Sequence, residues 1–307
     1  RDSGGRIRSI NEEVDCTPEQ LAINEVNVGL YCFDGAWLWD ALERVKKNPV
    51  KGEYFLTDLV ALAIADGRVV DAVISYDADE FIGINTRVDL ADAEAALRKR
   101  TNRAHMLNGV TIEDPATTYI DEGATIGSDT RILPNTRIDG ACVIGGDCVI
   151  GPDTMLVGAT IGDGCHVLKS VILESRLENN VEMGPFARLR PGCHVHEHVH
   201  IGNFAEAKNS VIGAHTHMGH FSYMGDTDCG AHVNYSAGVI TCNYDGEVKS
   251  RTVIGDGAFI GSDTLLVAPV TLGHGARTGA GAVVTKDLPS ETLAVGMPAR
   301  VIRRLSQ

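Results

Sequence analysis

TIGSDTRILPNTRIDGACVIGGDCVIGPDTML, residues 125–156, carries an aliphatic residue at every sixth position: Ile126, Ile132, Ile138, Ile144, Ile150 and Leu156. The beat returns as Ile254, Ile260, Leu266 and Leu272. Glycine follows many of them, as in Ile126-Gly127, Ile144-Gly145, Ile161-Gly162, Ile254-Gly255, Ile260-Gly261 and Leu272-Gly273. Neither the helical nor the strand periodicity explains a repeat of this length. It is the repeat of a parallel β-helix, in which three hexads, roughly 18 residues, close one triangular coil. Each aliphatic residue then points inward and stacks on its counterpart one coil away.

A second position of the repeat agrees. Four residues after each aliphatic stand Thr130, Thr136, Cys142, Cys148, Thr154, Cys165, Ala258, Thr264, Val270, Ala276 and Ala282, all small. A narrow prism has room for one large and one small inward side chain per face. The glycines, with the Asn and Asp residues, are expected to supply the positive-φ conformations of the corners.

The chain has 307 residues, enough for two domains and a sizeable core. Its hydrophobic content is 44%, and no apolar run approaches the ~18 residues of a membrane span. Stable membrane insertion is therefore not expected. A net charge of −14 argues against nucleic acid as a partner, but a local cationic cluster is present in Arg188, Arg190, Lys208, Lys249 and Arg251. The eight cysteines show no CxxC pair. Cys142, Cys148 and Cys165 fill the small inward slot, which points to reduced packing thiols in a cytoplasmic protein. No signal peptide is visible, and the chain begins at Arg1 without a methionine.

Outside the repeat, residues 1 to about 88 read as an α/β segment. Ala22 to Phe33 suggests a strand with turns around it, and Ala36 to Lys47 an amphipathic helix. Thr57 is placed to cap a helix through Ala65 that Gly67 ends, and Val69 to Ile74 returns to strand. Leu90 to Leu107 reads as a connecting helix stopped by Gly109. The prism is expected from about Val110 to Pro289, roughly ten coils or ~45 Å at the spacing of neighbouring strands. Two stretches, Glu174 to His200 and His220 to Arg251, break the period and are expected as loops or distorted coils. Pro298 to Gln307 reads as a basic tail beyond the prism.

These interruptions hold polar groups that the repeat does not require. Arg and Lys together can hold a phosphate, the first by a forked contact and the second as a point charge. A histidine between them can take a proton from an attacking amine or hydroxyl. The combination suggests group transfer onto a phosphorylated acceptor; the same residues also read as ordinary surface charges on loops.

The segments GPFARLRPG (184–192), GNFAEAKN (202–209), GHFSYMGD (219–226) and ITCNYDG (240–246) resemble the bacterial bifunctional enzyme that makes UDP-N-acetylglucosamine. That family joins an N-acetylglucosamine-1-phosphate uridylyltransferase to a C-terminal glucosamine-1-phosphate N-acetyltransferase. The resemblance implies a mainly β fold: a left-handed parallel β-helix over 110–307, preceded by a partial α/β nucleotidyltransferase domain (1–88) and a linker helix (89–109). It implies that His220 is the catalytic base, removing a proton from the glucosamine amine as it attacks acetyl-CoA. Arg190, Lys208, Tyr223 and Asn234 correspond to sugar-phosphate ligands, and Lys249 to a phosphate contact usually supplied by a neighbouring subunit of a homotrimer. Ala237, Asn243, Tyr244, Ser262 and Ala280 correspond to the acetyl-CoA groove.

In the N-terminal segment, Glu12, EVNVG (25–29), GEYFLTD (52–58) and GINTR (83–87) resemble the second half of the uridylyltransferase domain. The resemblance implies sugar contacts from Glu12 and Asn27, and a magnesium ion shared by Asn85 with an aspartate. Neither that aspartate nor the family's glycine-rich phosphate loop occurs in these 307 residues, so no uridylyl transfer by this chain alone is expected. Two positions depart from the pattern. Tyr235 stands where many relatives carry isoleucine, which is expected to reshape the acetyl pocket. Met297 falls where an arginine often meets CoA, with Arg300 and Arg303 as the nearest substitutes.

His194, His196, His198 and His200 alternate, so on an extended segment they would share one face. That face reads as solvated or as a zinc site of the kind γ-class carbonic anhydrases carry on a similar prism. Three readings thus stand beside amino-sugar acetylation: another hexapeptide acyltransferase, a metal-dependent hydratase and a non-catalytic scaffold.

Overall fold

Three sheets of twelve, ten and nine strands, parallel but for one closing strand, run the length of the repeat region in the computed structural model, which describes residues 1–49 and 51–305. Most strands are two residues long, and each pairs with the strand one coil earlier and one coil later. Arg131 pairs with Val149 and Ile132 with Ile150; Ile138 pairs with Leu156, and Ile144 with Ile161. The chain forms two compact units, residues 1–94 and 95–307.

The inward ladder of the ten-stranded wall runs Ile138, Leu156, Ile172, Leu189, Ala207, Met224, Leu266 and Val284, all buried. Removing one such aliphatic side chain from water contributes about 1.5–3 kcal/mol. The small-residue slot is also buried at every predicted position. Its polar members have a further task. Thr130 Oγ1 donates to the Gly145 carbonyl at 2.8 Å and accepts from the Cys148 N–H at 3.0 Å. Cys148 and Cys165 thiols donate to the carbonyls of Gly162 and Glu178 at 3.1 and 3.0 Å. Corner peptide groups that face the dry interior are thereby satisfied. None of the eight cysteines is in a disulfide.

Positive φ at the corners is supplied by Asp129, Asn135, Asp147 and Asp153 and by glycines such as Gly140, Gly151, Gly164 and Gly257, as expected. Gly127 and Gly145, which follow aliphatic residues, do not carry it and serve another purpose. A Cβ on Gly127 would lie 2.5 Å from the backbone nitrogen of Gly146, so glycine is required there by the approach of the next coil.

The period is more regular than the sequence suggests. Across Glu174–His200, Leu177, Met183, Leu189, Val195 and Ile201 are all buried and their strands pair in order. The apparent interruption is a change of phase. Val167, Ile172 and Leu177 fall five apart, so short steps shift the beat without breaking the wall. In the second stretch, Met224, Cys229, Tyr235 and Thr241 likewise stay inside. Only the excursion between Cys242 and Thr252 leaves the prism, closed on itself by an antiparallel bridge between Tyr244 and Lys249.

Both ends of the core are covered. The helix Arg87–Leu107 starts three residues before its expected Leu90. Its Asn102, 1% exposed, donates from Nδ2 to the carbonyls of Pro115 and Thr118 at 3.0 Å each. The connector is thus also a cap on the first coil, which a solenoid needs. At the far end, Arg300–Arg304 is not a loose tail but a strand pairing antiparallel with Thr292–Val295.

In the first unit the helix Gly35–Leu42 is capped by Asp34, whose carboxylate accepts from the N–H groups of Ala36 and Trp37. It ends before Lys47 because Lys47 bridges to Tyr54 and Asn48 turns the chain by donating to Glu53. The second helix, Asp58–Ala65, forms as expected, but Thr57 does not cap it; its hydroxyl donates to Glu12 at 3.0 Å. Trp37, Ala41, Leu59 and Ala63 make the small core. The strands expected at Ala22–Phe33 and Val69–Ile74 do not form, since an extended segment without a partner leaves its peptide groups unpaired. No helix among the described residues is long and apolar enough to cross a membrane.

Candidate active site

Arg188–Leu189, Ala205–Lys208, Ser222–Gly225 and Ile240–Cys242 are consecutive strands of the ten-stranded wall. Their alternation turns Ala205, Ala207, Ser222 and Met224 inward and leaves Glu206, Lys208 and Tyr223 outward. The register sets Arg188, Glu206, Tyr223 and Ile240 in one row across the coils. Arg190, one residue past its strand, donates its N–H to Ala207 and its guanidinium to Glu206 at 3.3 Å. Tyr223 folds over Gly225, where a Cβ would lie 2.4 Å from the phenol oxygen. Burial pushes the Tyr223 hydroxyl pKa up.

Lys249 reaches this wall from the excursion between Cys242 and Thr252. It interacts directly with Lys208, and this like charge holds the Lys208 ammonium below its ordinary pKa. Lys249 thus lies beside Lys208 of its own chain. Two adjacent cations that repel one another form a place where a dianion is favoured.

Asp226 balances them, and sequence reasoning gave it no role. It sits at the next corner with φ +49° and is 7% exposed. Its carboxylate accepts from Asn209 Nδ2 at 2.6 Å and from Asn243 Nδ2, tying three coils together. Burial raises its pKa, but the two amide donors and the charges of Lys208 and Lys249 outweigh burial and hold it below the usual range. The available signal was the Gly225-Asp226 turn pair in the quoted motif. Asn243, 8% exposed, is committed to this clamp. Tyr244 is exposed and its hydroxyl donates to the Gly246 carbonyl.

His220 lies at the corner between the twelve- and ten-stranded walls, exposed, three residues before Tyr223. Its carbonyl accepts from Ser222 Oγ at 2.9 Å; its imidazole has no hydrogen-bond partner among the described residues. Register ties it to part of the predicted groove. His217, Asn234, Phe259 and Arg277 pair successively along the twelve-stranded wall. Three residues beyond each stand His220, Ala237, Ser262 and Ala280. These residues occupy one corner on four successive coils. Beyond His220 the row is Ala, Ser and Ala, all short side chains.

Other expected members stand apart. Asn234 is on the twelve-stranded wall, across the corner from Tyr223, and its amide donates to Ser236 Oγ at 2.7 Å. Tyr235 is 1% exposed inside the prism, and its hydroxyl donates to the Tyr223 carbonyl at 2.9 Å. Arg251 pairs with Asp228 on another wall. Met297 is exposed, and Arg300 and Arg303 lie on the closing strand.

In the first unit Glu12 accepts from Thr57, Asn27 Nδ2 donates to Tyr31, and the Asn85 N–H donates to Asp89 at 3.0 Å. Among the described residues no group of three acidic, histidine or cysteine ligands gathers around Asn85. One amide oxygen does not make a magnesium site, which takes carboxylates and phosphates, so no step is assigned to that ion here.

The histidine run is divided. His194 begins a strand of the nine-stranded wall, His198 turns a corner with φ +57°, and His200 begins a strand of the twelve-stranded wall. They cannot share a face, because period-two alternation requires a continuous extended strand. His198 stacks on His215, which stacks on His232, with ring centroids 4.9 Å apart in each pair.

Residues 251–286 match the family described as "Bacterial transferase hexapeptide (six repeats)", and residues 142–168 the "Hexapeptide repeat of succinyl-transferase". The chain is 45% identical over 301 residues to the bifunctional protein GlmU of Shouchella clausii, covering 98% of this chain and 66% of that protein. It is also 45% identical over 301 residues to GlmU of Carboxydothermus hydrogenoformans, covering 98% and 68%. The chain thus spans about two thirds of the length of the curated relatives it matches. Among solved structures, the UDP-N-acetylglucosamine acyltransferase of Francisella novicida aligns at a TM-score of 0.43 and 17% identity, covering 62% of this chain and 68% of that one.

Proposed function

The chain belongs to the family of bifunctional GlmU proteins, and on that premise we propose that it transfers the acetyl group of acetyl-CoA to the amine of glucosamine-1-phosphate. The observation that carries this reading is the wall that sets Arg190, Lys208 and Tyr223 on successive coils, with Lys249 beside Lys208 and an exposed His220 three residues before Tyr223. The phosphate of the acceptor lies against the two lysines, with Arg190 exchanging Glu206 for the ligand. The sugar ring packs beside Tyr223.

His220 takes a proton from the amine as the nitrogen attacks the thioester carbon. The carbon–sulfur bond breaks, and the departing sulfur receives the proton from the imidazolium. The negative charge that develops on the carbonyl oxygen calls for an N–H donor near the His220 corner. Ala237, Ser262 and Ala280 form the row along which the long thiol arm lies. Asn234, on the neighbouring wall, completes a site where the flat walls of three chains pair in a homotrimer.

The test is thiol release from acetyl-CoA with glucosamine-1-phosphate as acceptor. His220→Ala should lose about 100- to 10,000-fold in turnover, the usual contribution of a general base, with an unchanged melting temperature. Undiminished turnover by a folded His220→Ala protein would reject the mechanism. Thiol release only with other amino-sugar phosphates would reject the acceptor.

A further inference from the structure

Arg176–Leu177 and His194–Val195 are neighbouring strands of the nine-stranded wall, with Arg176 level with His194 and Leu177 with Val195. The next residues outward are therefore Glu178 and His196, and the Glu178 N–H donates to the Val195 carbonyl at 2.8 Å. His194 and His196 are two apart across this short extended piece, so both imidazoles fall on the side of Glu178. His194 Nε2 lies 2.8 Å from Glu178 Oε1, and His196 Nδ1 lies 3.1 Å from Glu178 Oε2. The two rings stack with centroids 4.4 Å apart. One donor atom from each of the three residues lies within 4.8 Å of the others, and all three side chains are half-buried.

We propose that Glu178, His194 and His196 form a binding site for a divalent transition metal of the zinc class. Two imidazole nitrogens and one carboxylate oxygen are the donor set that selects such ions over magnesium or calcium. The distances suit it. Ligand atoms about 2.0–2.2 Å from a zinc ion stand roughly 3.0–3.5 Å from one another, close to the separations already present. The ion replaces the proton shared between each ring nitrogen and the carboxylate, so small rotations about side-chain bonds suffice.

Three protein ligands leave a coordination position open. Of the three ligands, Glu178 also lines a cleft of about 220 Å³ together with Arg176, Asn179 and Glu197. The ligands come from two successive coils, so the ion also cross-links the wall. The site lies on a different wall from Lys208 and Tyr223, and its occupancy does not depend on acetyl transfer.

The experiment strips the full chain with a chelator and titrates it with Zn²⁺ against a chromogenic competitor. A parallel titration with Co²⁺ reads the visible bands of imidazole-ligated cobalt. About one equivalent of ion is expected at this site, and it should disappear in the His194→Ala/His196→Ala double variant. Glu178→Gln preserves side-chain volume and hydrogen bonding, and should weaken binding while leaving the metal-free melting temperature unchanged. His217→Ala, on the twelve-stranded wall, should bind as the parent does. Failure of the parent to bind Zn²⁺, or equal binding by Glu178→Gln and the double variant, would overturn the proposal.

Discussion

The prism and the first unit bury their apolar residues in different ways. In the prism each coil supplies the partner of the next, so Ile132, Ile150, Val167 and Ile201 are buried by neighbours of their own kind. In residues 1–94 the core is Trp37, Ala41, Leu59 and Ala63, while Val26, Leu30, Trp39, Val69, Val73 and Tyr76 are exposed. Apolar content is not what separates them. A repeat guarantees that every inward position meets another inward position, whereas an irregular segment depends on distant partners being present. The strands expected at 22–33 and 69–74 did not form for that reason: β-propensity describes a fit to a neighbouring strand.

Hydrogen exchange should expose this contrast most strongly. Amides of 22–33 and 69–74 should exchange on the order of 1,000-fold faster than those of Ile138, Leu156 and Ile172. Equal protection would abolish the distinction. Single substitutions sharpen it. Ile138→Ala should cost the prism about 2–5 kcal/mol, seen as a lower denaturant midpoint for the β signal. Leu59→Ala should instead loosen the first unit, measured by the fluorescence of Trp37 and Trp39, and leave the prism transition in place.

A smaller effect is expected at the Asp226 clamp. Asp226→Asn should cost about 2 kcal/mol, as for a hydrogen bond to a charged group. Because the folded carboxylate has a lowered pKa, its contribution is complete above the ordinary carboxylate pKa. It fades as the pH falls through the lowered folded value. Parent and Asp226→Asn stabilities should therefore converge in strong acid, and a constant gap down to that pH would contradict the clamp. The smallest effect concerns Lys208. Lys249→Ala removes the neighbouring charge that depresses it, so the Lys208 pKa should rise toward the ordinary lysine value, as followed by NMR of methylated lysines. No movement would mean that the two ammonium groups do not meet in solution.

Much of the site was legible before the fold. Lys208 and Tyr223 alternate with inward residues on their strands, and His220 precedes Tyr223 in one motif. Asp226 was not legible, because an aspartate after glycine reads as a turn until Asn209 and Asn243 are known to lie on either side of it. The histidine run misled for a related reason. Its alternation was real, but a corner at His198 divided it between walls.

The sequence by itself determined which side chains face inward, because a six-residue beat with small residues four positions on is a local property of each hexad. Tertiary structure alone decided which outward residues stand above one another. That depends on the running total of five- and six-residue steps, on corners of positive φ, and on the excursion that returns Lys249 to Lys208. One shortened step moves every later residue along its wall, so vertical neighbours such as Glu178 and His196 emerge only when the coils are stacked.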